Sequence, residues 1–156
     1  MIYSLLMAVG TIVALGLALL LWSLGGLHVY WGRGGLWPAE NELGLARQVV
    51  GTPGIREMPG VKACYTVAGL LFFAGFWPLA TVGLLPAPLP GELMLLAGYG
   101  LAAIFLARGA AAYLAPFRRF FPEEPFATLD RRLYGPLCLL IGTGFAFLIS
   151  LGWIVP

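Results

Sequence analysis

The sequence predicts an all-α protein: an integral-membrane, antiparallel four-helix transmembrane bundle. Three observations carry that expectation. The chain of 156 residues is 60% hydrophobic and only 10% charged, with a mean hydropathy of +0.91. A soluble domain carries about a quarter charged residues and needs them to cover its surface. No charged side chain occurs before Arg33, and about 20 apolar residues suffice to cross a bilayer. Finally, the nine basic residues fall in two places only, each between long apolar runs.

The first span is expected over 3–28, with Gly25 and Gly26 loosening its last turn. It lacks a basic n-region and is too long for a leader's apolar core, so it is read as a retained anchor. The connection 29–60 is more polar. Within it, Pro38 can open a short helix through Glu40, Glu42, Leu43, Ala46 and Arg47, with a stop at Val50-Gly51-Thr52-Pro53-Gly54. Its apolar Leu43, Val49 and Val50 would lay that piece on the membrane surface.

The second span is expected over 61–85, with Pro78 bending it about one turn earlier, near Ala74 and Gly75. The stiff turn 86–91 must set the second and third spans side by side. The third is expected over 92–114, with Glu92 capping its start. Ala103, Ala107 and Ala111 recur every four residues, with Gly98 and Ala102 as a further small pair, and offer close approach to a neighbouring helix. In the connection 115–132, the stretch Pro116 to Pro125 is too broken by proline for a long helix. Its Phe and Arg side chains suit the lipid headgroup layer. The last span is expected over 133–154, with Thr128 as candidate N-cap and Gly142 and Ala146 as another small-residue contact.

Charge placement predicts an orientation. Arg33, Arg47, Arg56 and Lys62 lie between the first and second spans. Arg108, Arg118, Arg119, Arg131 and Arg132 lie between the third and fourth, or just inside their ends. The turn 86–91 has no basic residue. The positive-inside rule then places both long connections in the cytoplasm and both termini outside.

Several chemistries are excluded or disfavoured. A net charge of +2 without any base-reading motif argues against nucleic acid. Cys64 and Cys138 form no C-x-x-C or zinc pattern, and their default reading is a buried small side chain. One histidine cannot supply bis-histidine haem, and no metal site is expected. Gly32, Gly34 and Gly35 follow no strand and precede no G-K-[ST], so they are not a nucleotide loop. No cofactor follows from the sequence.

What remains is the basic end of the bundle. His28 titrates in the physiological range, and its acid/base reading stands against a plain one, a helix-end histidine beside Tyr30 and Trp31. Arg108 lies about 9 Å of helix rise inside its span. It either grips an anion with its fork or pairs with Asp130 to lock the third and fourth helices. Asp130, Arg131 and Arg132 at the fourth entry read as a solvated first turn or as part of a site, and Glu57 beside Arg56 as an exposed pair. The catalytic candidates are His28 and Asp130. The ligand-binding candidates are Arg108, His28, Trp31, Arg33, Arg132 and Tyr134.

Two stretches carry a resemblance: His28-Val29-Tyr30-Trp31 followed by Gly34-Gly35 and Trp37-Pro38, and Asp130-Arg131-Arg132-Leu133-Tyr134-Gly135-Pro136-Leu137-Cys138. With the Met58-Pro59 entry to the second span, they resemble a family of small four-span bacterial membrane proteins catalogued as a domain of unknown function. The resemblance implies an inner-membrane protein with four helices. It marks His28, Trp31, Gly34, Gly35, Arg132, Tyr134 and Cys138 as positions of interest, and it supplies no activity, substrate or cofactor.

Three functions fit these features. The first is binding of a lipid or small amphipathic, anionic ligand at the cytoplasmic mouth, its polar end on Arg108, His28 and Arg132 and its apolar part against the alanine stripe. The second is an enzyme acting on a lipid-like substrate with His28 and Asp130 or Glu57 as acid and base. The third is a structural subunit of a membrane complex. Membrane lipids are the expected partners, and an oligomer is compatible. A transporter fits least, since four spans offer no evident polar path.

Overall fold

The computed structural model describes residues 2–152. Its elements are α1 (Ile2–Gly32), α2 (Glu42–Val49), α3 (Val61–Thr81), α4 (Gly91–Ala111), α5 (Ala115–Phe120), α6 (Phe126–Leu129), a π-helical turn (Asp130–Tyr134) and α7 (Gly135–Ser150). No strand occurs among the described residues. α6, the π turn and α7 run on as one rod, Phe126–Ser150. That rod, α1, α3 and α4 are long and apolar enough to cross a membrane. Each also turns a large aliphatic side chain outward: Leu19 is 69% exposed, Leu70 64%, Ile104 66% and Leu140 64%. An apolar surface of that extent on every span is what a bilayer, not water, solvates.

The bundle is two pairs. α1 packs chiefly on α3, and α4 on the fourth span, while α3 and α4 touch only lightly despite the short turn joining them. Gly10, Ala14, Leu17, Ala18, Leu21 and Gly25 form the buried stripe of α1, at the three- and four-residue spacing of one helical face. Gly25 does not loosen the helix end as expected. It lies against Ala68 and the ring of Phe72, and α1 continues helical to Gly32. The Trp22 indole N–H donates to the Phe72 carbonyl at 3.0 Å.

The second interface is tighter. A Cβ on Gly109 would stand 2.8 Å from the Gly135 carbonyl and the Leu139 nitrogen, and one on Gly142 would stand 2.8 Å from the Leu106 nitrogen. The helices here meet backbone to backbone. This face of α4 carries Gly98, Ala102, Gly109 and the buried Ala112. The expected alanine stripe faces the other way, with Ala103 and Ala107 exposed. A four-residue spacing says which residues share a face, not which face points inward. Trp77 joins the two pairs: its ring packs on Gly98 and on Phe145 (5.4 Å between centroids), and its indole N–H donates to the Met94 carbonyl at 2.8 Å.

Several boundaries differ from expectation. α3 stops at Thr81 rather than residue 85, because Val82 and Gly83 close a Schellman turn: Gly83 N–H donates to Ala80 at 3.2 Å and Leu84 N–H to Leu79 at 2.9 Å, with Gly83 at φ +75°. α4 ends at Ala111, three residues early. Its N-cap is Pro90, and Glu92 makes no capping bond. The fourth span begins at Phe126, seven residues before expectation, because Glu124 and not Thr128 supplies the cap: its carboxylate accepts from the Thr128 N–H and hydroxyl, both at 3.1 Å. Helix α2 starts at Glu42 behind an Asn41 cap (Asn41 Oδ1 to Gly44 N, 2.8 Å) rather than at Pro38. Its Leu45 and Ala46 are buried, and it packs on α6 beneath the bundle. The segment expected at 153–154 lies outside the described residues.

Candidate functional site

Both long connections gather at one end of the bundle and interlock there. Gly51 presses on the buried ring of Phe126, the Tyr134 hydroxyl donates to the Gln48 carbonyl at 3.1 Å, and Gly54 N–H donates to Glu123 at 3.0 Å. Arg33, Arg47, Arg56, Lys62, Arg108, Arg118, Arg119, Arg131 and Arg132 all stand at or near this end.

The first motif is a clamp. Gly34 at φ +86° ends α1 in a Schellman turn, with Gly34 N–H to Trp31 O at 2.9 Å and Gly35 N–H to Tyr30 O at 3.0 Å. The Tyr30 ring lies on Gly35, where no Cβ would fit. The Trp31 indole N–H donates to the Trp37 carbonyl at 2.8 Å, and Trp37 N–H donates to the Tyr30 hydroxyl at 3.4 Å. His28 sits edge-on to Trp31, 5.0 Å between centroids, with Nδ1 2.8 Å from the Leu24 carbonyl. That contact is satisfied when Nδ1 carries the proton. These residues bend the chain back under α1 and leave Trp37 65% exposed.

The second motif builds the polar heart of the fourth span. Pro136 has no N–H, and its ring excludes an ordinary α-helical contact with the residue four before it. The backbone widens into the π turn Asp130–Tyr134, closed by Gly135 N–H to the Asp130 carbonyl. Asp130, only 3% exposed, meets Arg108 there, Oδ1 to Nη2 at 2.6 Å. The Arg108 guanidinium also lies over the Phe117 ring, 5.1 Å from its centroid, and its Nη1 is buried without a hydrogen-bond partner. Arg108 makes the interhelical pair with Asp130 that was one of its two sequence readings.

The other candidates are dispersed. Arg33 and Arg132 are exposed, and Tyr134 is half-buried and tied to Gln48. His28 and Trp31 stand on α1, which does not form a main interface with α4, so the structure does not bring His28 to Arg108. Nor does it pair His28 with Asp130: the one ion pair among the described residues is Arg108–Asp130. Cys64 and Cys138 are free thiols, Cys64 buried against Gly32. Among the described residues no cluster of His, Cys, Asp or Glu could hold a metal ion.

One feature escaped sequence reasoning. Arg118, Arg119 and Arg131 line a groove of about 390 Å³ with Ala115, Pro122, Glu124 and Ala127. The Arg-Arg pair in a Pro-flanked segment was its visible signal. The return of Arg131 onto that segment depends on the α5–α6 fold and was not.

Fold and site together define a small multi-pass helical membrane protein with a cationic, interlocked end. The family described as "Protein of unknown function (DUF3995)" matches residues 21–145, and the chain belongs to it. That match contains both motifs. No curated protein and no solved structure matches the chain.

Proposed function

We propose that this protein binds anionic membrane lipid at its cationic end, in the cytoplasmic leaflet of a bacterial inner membrane, with both termini periplasmic. One observation carries the reading: nine basic side chains meet only six acidic ones at this end, and four of those six accept internal hydrogen bonds. Glu42 accepts from Met58 N–H, Glu123 from Gly54 N–H, Glu124 from Thr128, and Asp130 from Arg108. No carboxylate pairs with any other arginine or with Lys62 among the described residues. The fold thus keeps an excess of unneutralised cations where a negative leaflet would meet them. Among the described residues His28 pairs with no carboxylate.

The test is thermal unfolding of delipidated protein in mild detergent with added phosphatidylglycerol or phosphatidylcholine. Phosphatidylglycerol should raise the midpoint more, and the difference should shrink as salt rises. Equal effects of the two lipids would refute the reading.

A second reading rests on the outward Ala103 and Ala107, which suit a partner helix such as a second copy or another subunit. Ala107→Cys in a background without Cys64 and Cys138 should give a disulfide dimer in membranes, and a monomer only would count against self-association.

A further inference from the structure

We infer that the groove between α5 and the start of the fourth span is a discrete site for the phosphate of one anionic lipid, held by Arg118, Arg119 and Arg131. The inference rests on the lipid-binding reading and gives it an address. Three guanidiniums and one carboxylate line this space. The carboxylate, Glu124, is held on both oxygens by Thr128, which turns its acceptor capacity toward the α6 cap. Arg131 is fixed by its Nε, which donates to the Ala127 carbonyl at 3.1 Å, and its backbone carbonyl accepts from the Tyr113 hydroxyl at 3.1 Å. Its two terminal nitrogens remain for a ligand. Guanidinium forks match phosphate oxygens in a way that ammonium groups do not.

The exposed apolar residues next to the groove favour a lipid over a free ion. Leu114 and Phe120 flank the groove in sequence and are 57% and 71% exposed. They give an acyl chain an apolar path from the headgroup toward the spans. Phe117 points the other way, over Arg108, so the interior ion pair and the groove are separate features. The volume is enough for a phosphoglycerol group.

The experiment is native mass spectrometry of the full chain in detergent, titrated with phosphatidylglycerol, phosphatidylcholine or water-soluble glycerol phosphate. The wild type should show a saturable single adduct with phosphatidylglycerol. The triple variant Arg118→Gln/Arg119→Gln/Arg131→Gln should bind it at least about tenfold more weakly, as expected for losing three headgroup-facing cations. The control Arg47→Gln/Arg56→Gln removes exposed charge from the other connection and should weaken binding far less than the triple variant does. Because all three groove arginines are exposed, an unchanged unfolding midpoint without lipid should accompany the loss.

Equal weakening in control and triple variant would overturn the discrete site and leave diffuse attraction, so the broader reading would survive. The same holds if the triple variant binds normally. No preference for phosphatidylglycerol in the wild type would overturn both. Glycerol phosphate competing as well as the lipid would overturn the lipid assignment and keep the phosphate site.

Discussion

Removing Arg108 should destabilise the bundle more than removing Asp130, and removing both should cost less than the sum. Opposite unit charges about 4 Å apart attract by about 4 kcal/mol at an effective dielectric near 20. The two partners are unequally buried, since the Asp130 side chain is 4% exposed and that of Arg108 34%. Solvent reaching the guanidinium screens part of the attraction, which brings the expected coupling to about 2–3 kcal/mol. Arg108→Met strands a carboxylate between two helices that meet backbone to backbone, at a cost of about 3–5 kcal/mol. Asp130→Asn leaves a guanidinium that still reaches water and the Phe117 ring, so its cost is smaller. Arg108→Met/Asp130→Leu replaces the pair by apolar volume and should recover most of the loss. Reversible unfolding in mixed micelles, read by circular dichroism, gives the four free energies of the cycle. Strictly additive costs, or an Arg108→Met variant within about 0.5 kcal/mol of the wild type, would refute the assignment of this pair as the lock between α4 and the fourth span.

Other consequences are as direct. Trp77→Ala removes the side chain shared by both helix pairs and should cost about 3–5 kcal/mol in the same unfolding assay. Gly109→Val inserts a side chain where a single Cβ already stands 2.8 Å from neighbouring backbone; its cost should lie at or above the top of the about 1–3 kcal/mol usual for overpacking. Gly35→Ala displaces the Tyr30 ring and should expose the 33–41 segment to proteolysis, with the spans unchanged by circular dichroism. Glu57→Cys and Ala87→Cys, each in a background lacking the native thiols, should label from opposite sides of the membrane, Glu57→Cys from the cytoplasm. Labelling of both from one side would contradict the four-span path.

The four spans were legible because lipid demands long apolar runs, and no other feature of the chain competes with that signal. Their ends were less so. Gly83 stops α3 by a local turn inside an apolar stretch, and Glu124 moves the fourth helix start to Phe126 by capping from beyond Pro125. The π turn was encoded by Pro136 within a helical run, yet it is recognised only once Asp130 is seen facing Arg108. Periodicity marked Ala103, Ala107 and Ala111 as one face and left its direction open, and the glycines of the opposite face took the contact. His28 and Arg108 stand on helices that form no main interface with one another. Depth in the membrane follows from position along a span, whereas lateral neighbours depend on which helices pair.

That pairing bears on how the chain is made. Each tight interface joins spans adjacent in sequence, so the amino-terminal hairpin needs nothing from the later spans in order to form. The second hairpin forms the same way and docks afterwards, through Trp77 near one surface and the interlocked connections at the other. Two fragments divided within 84–89, expressed side by side, should therefore find each other in the membrane.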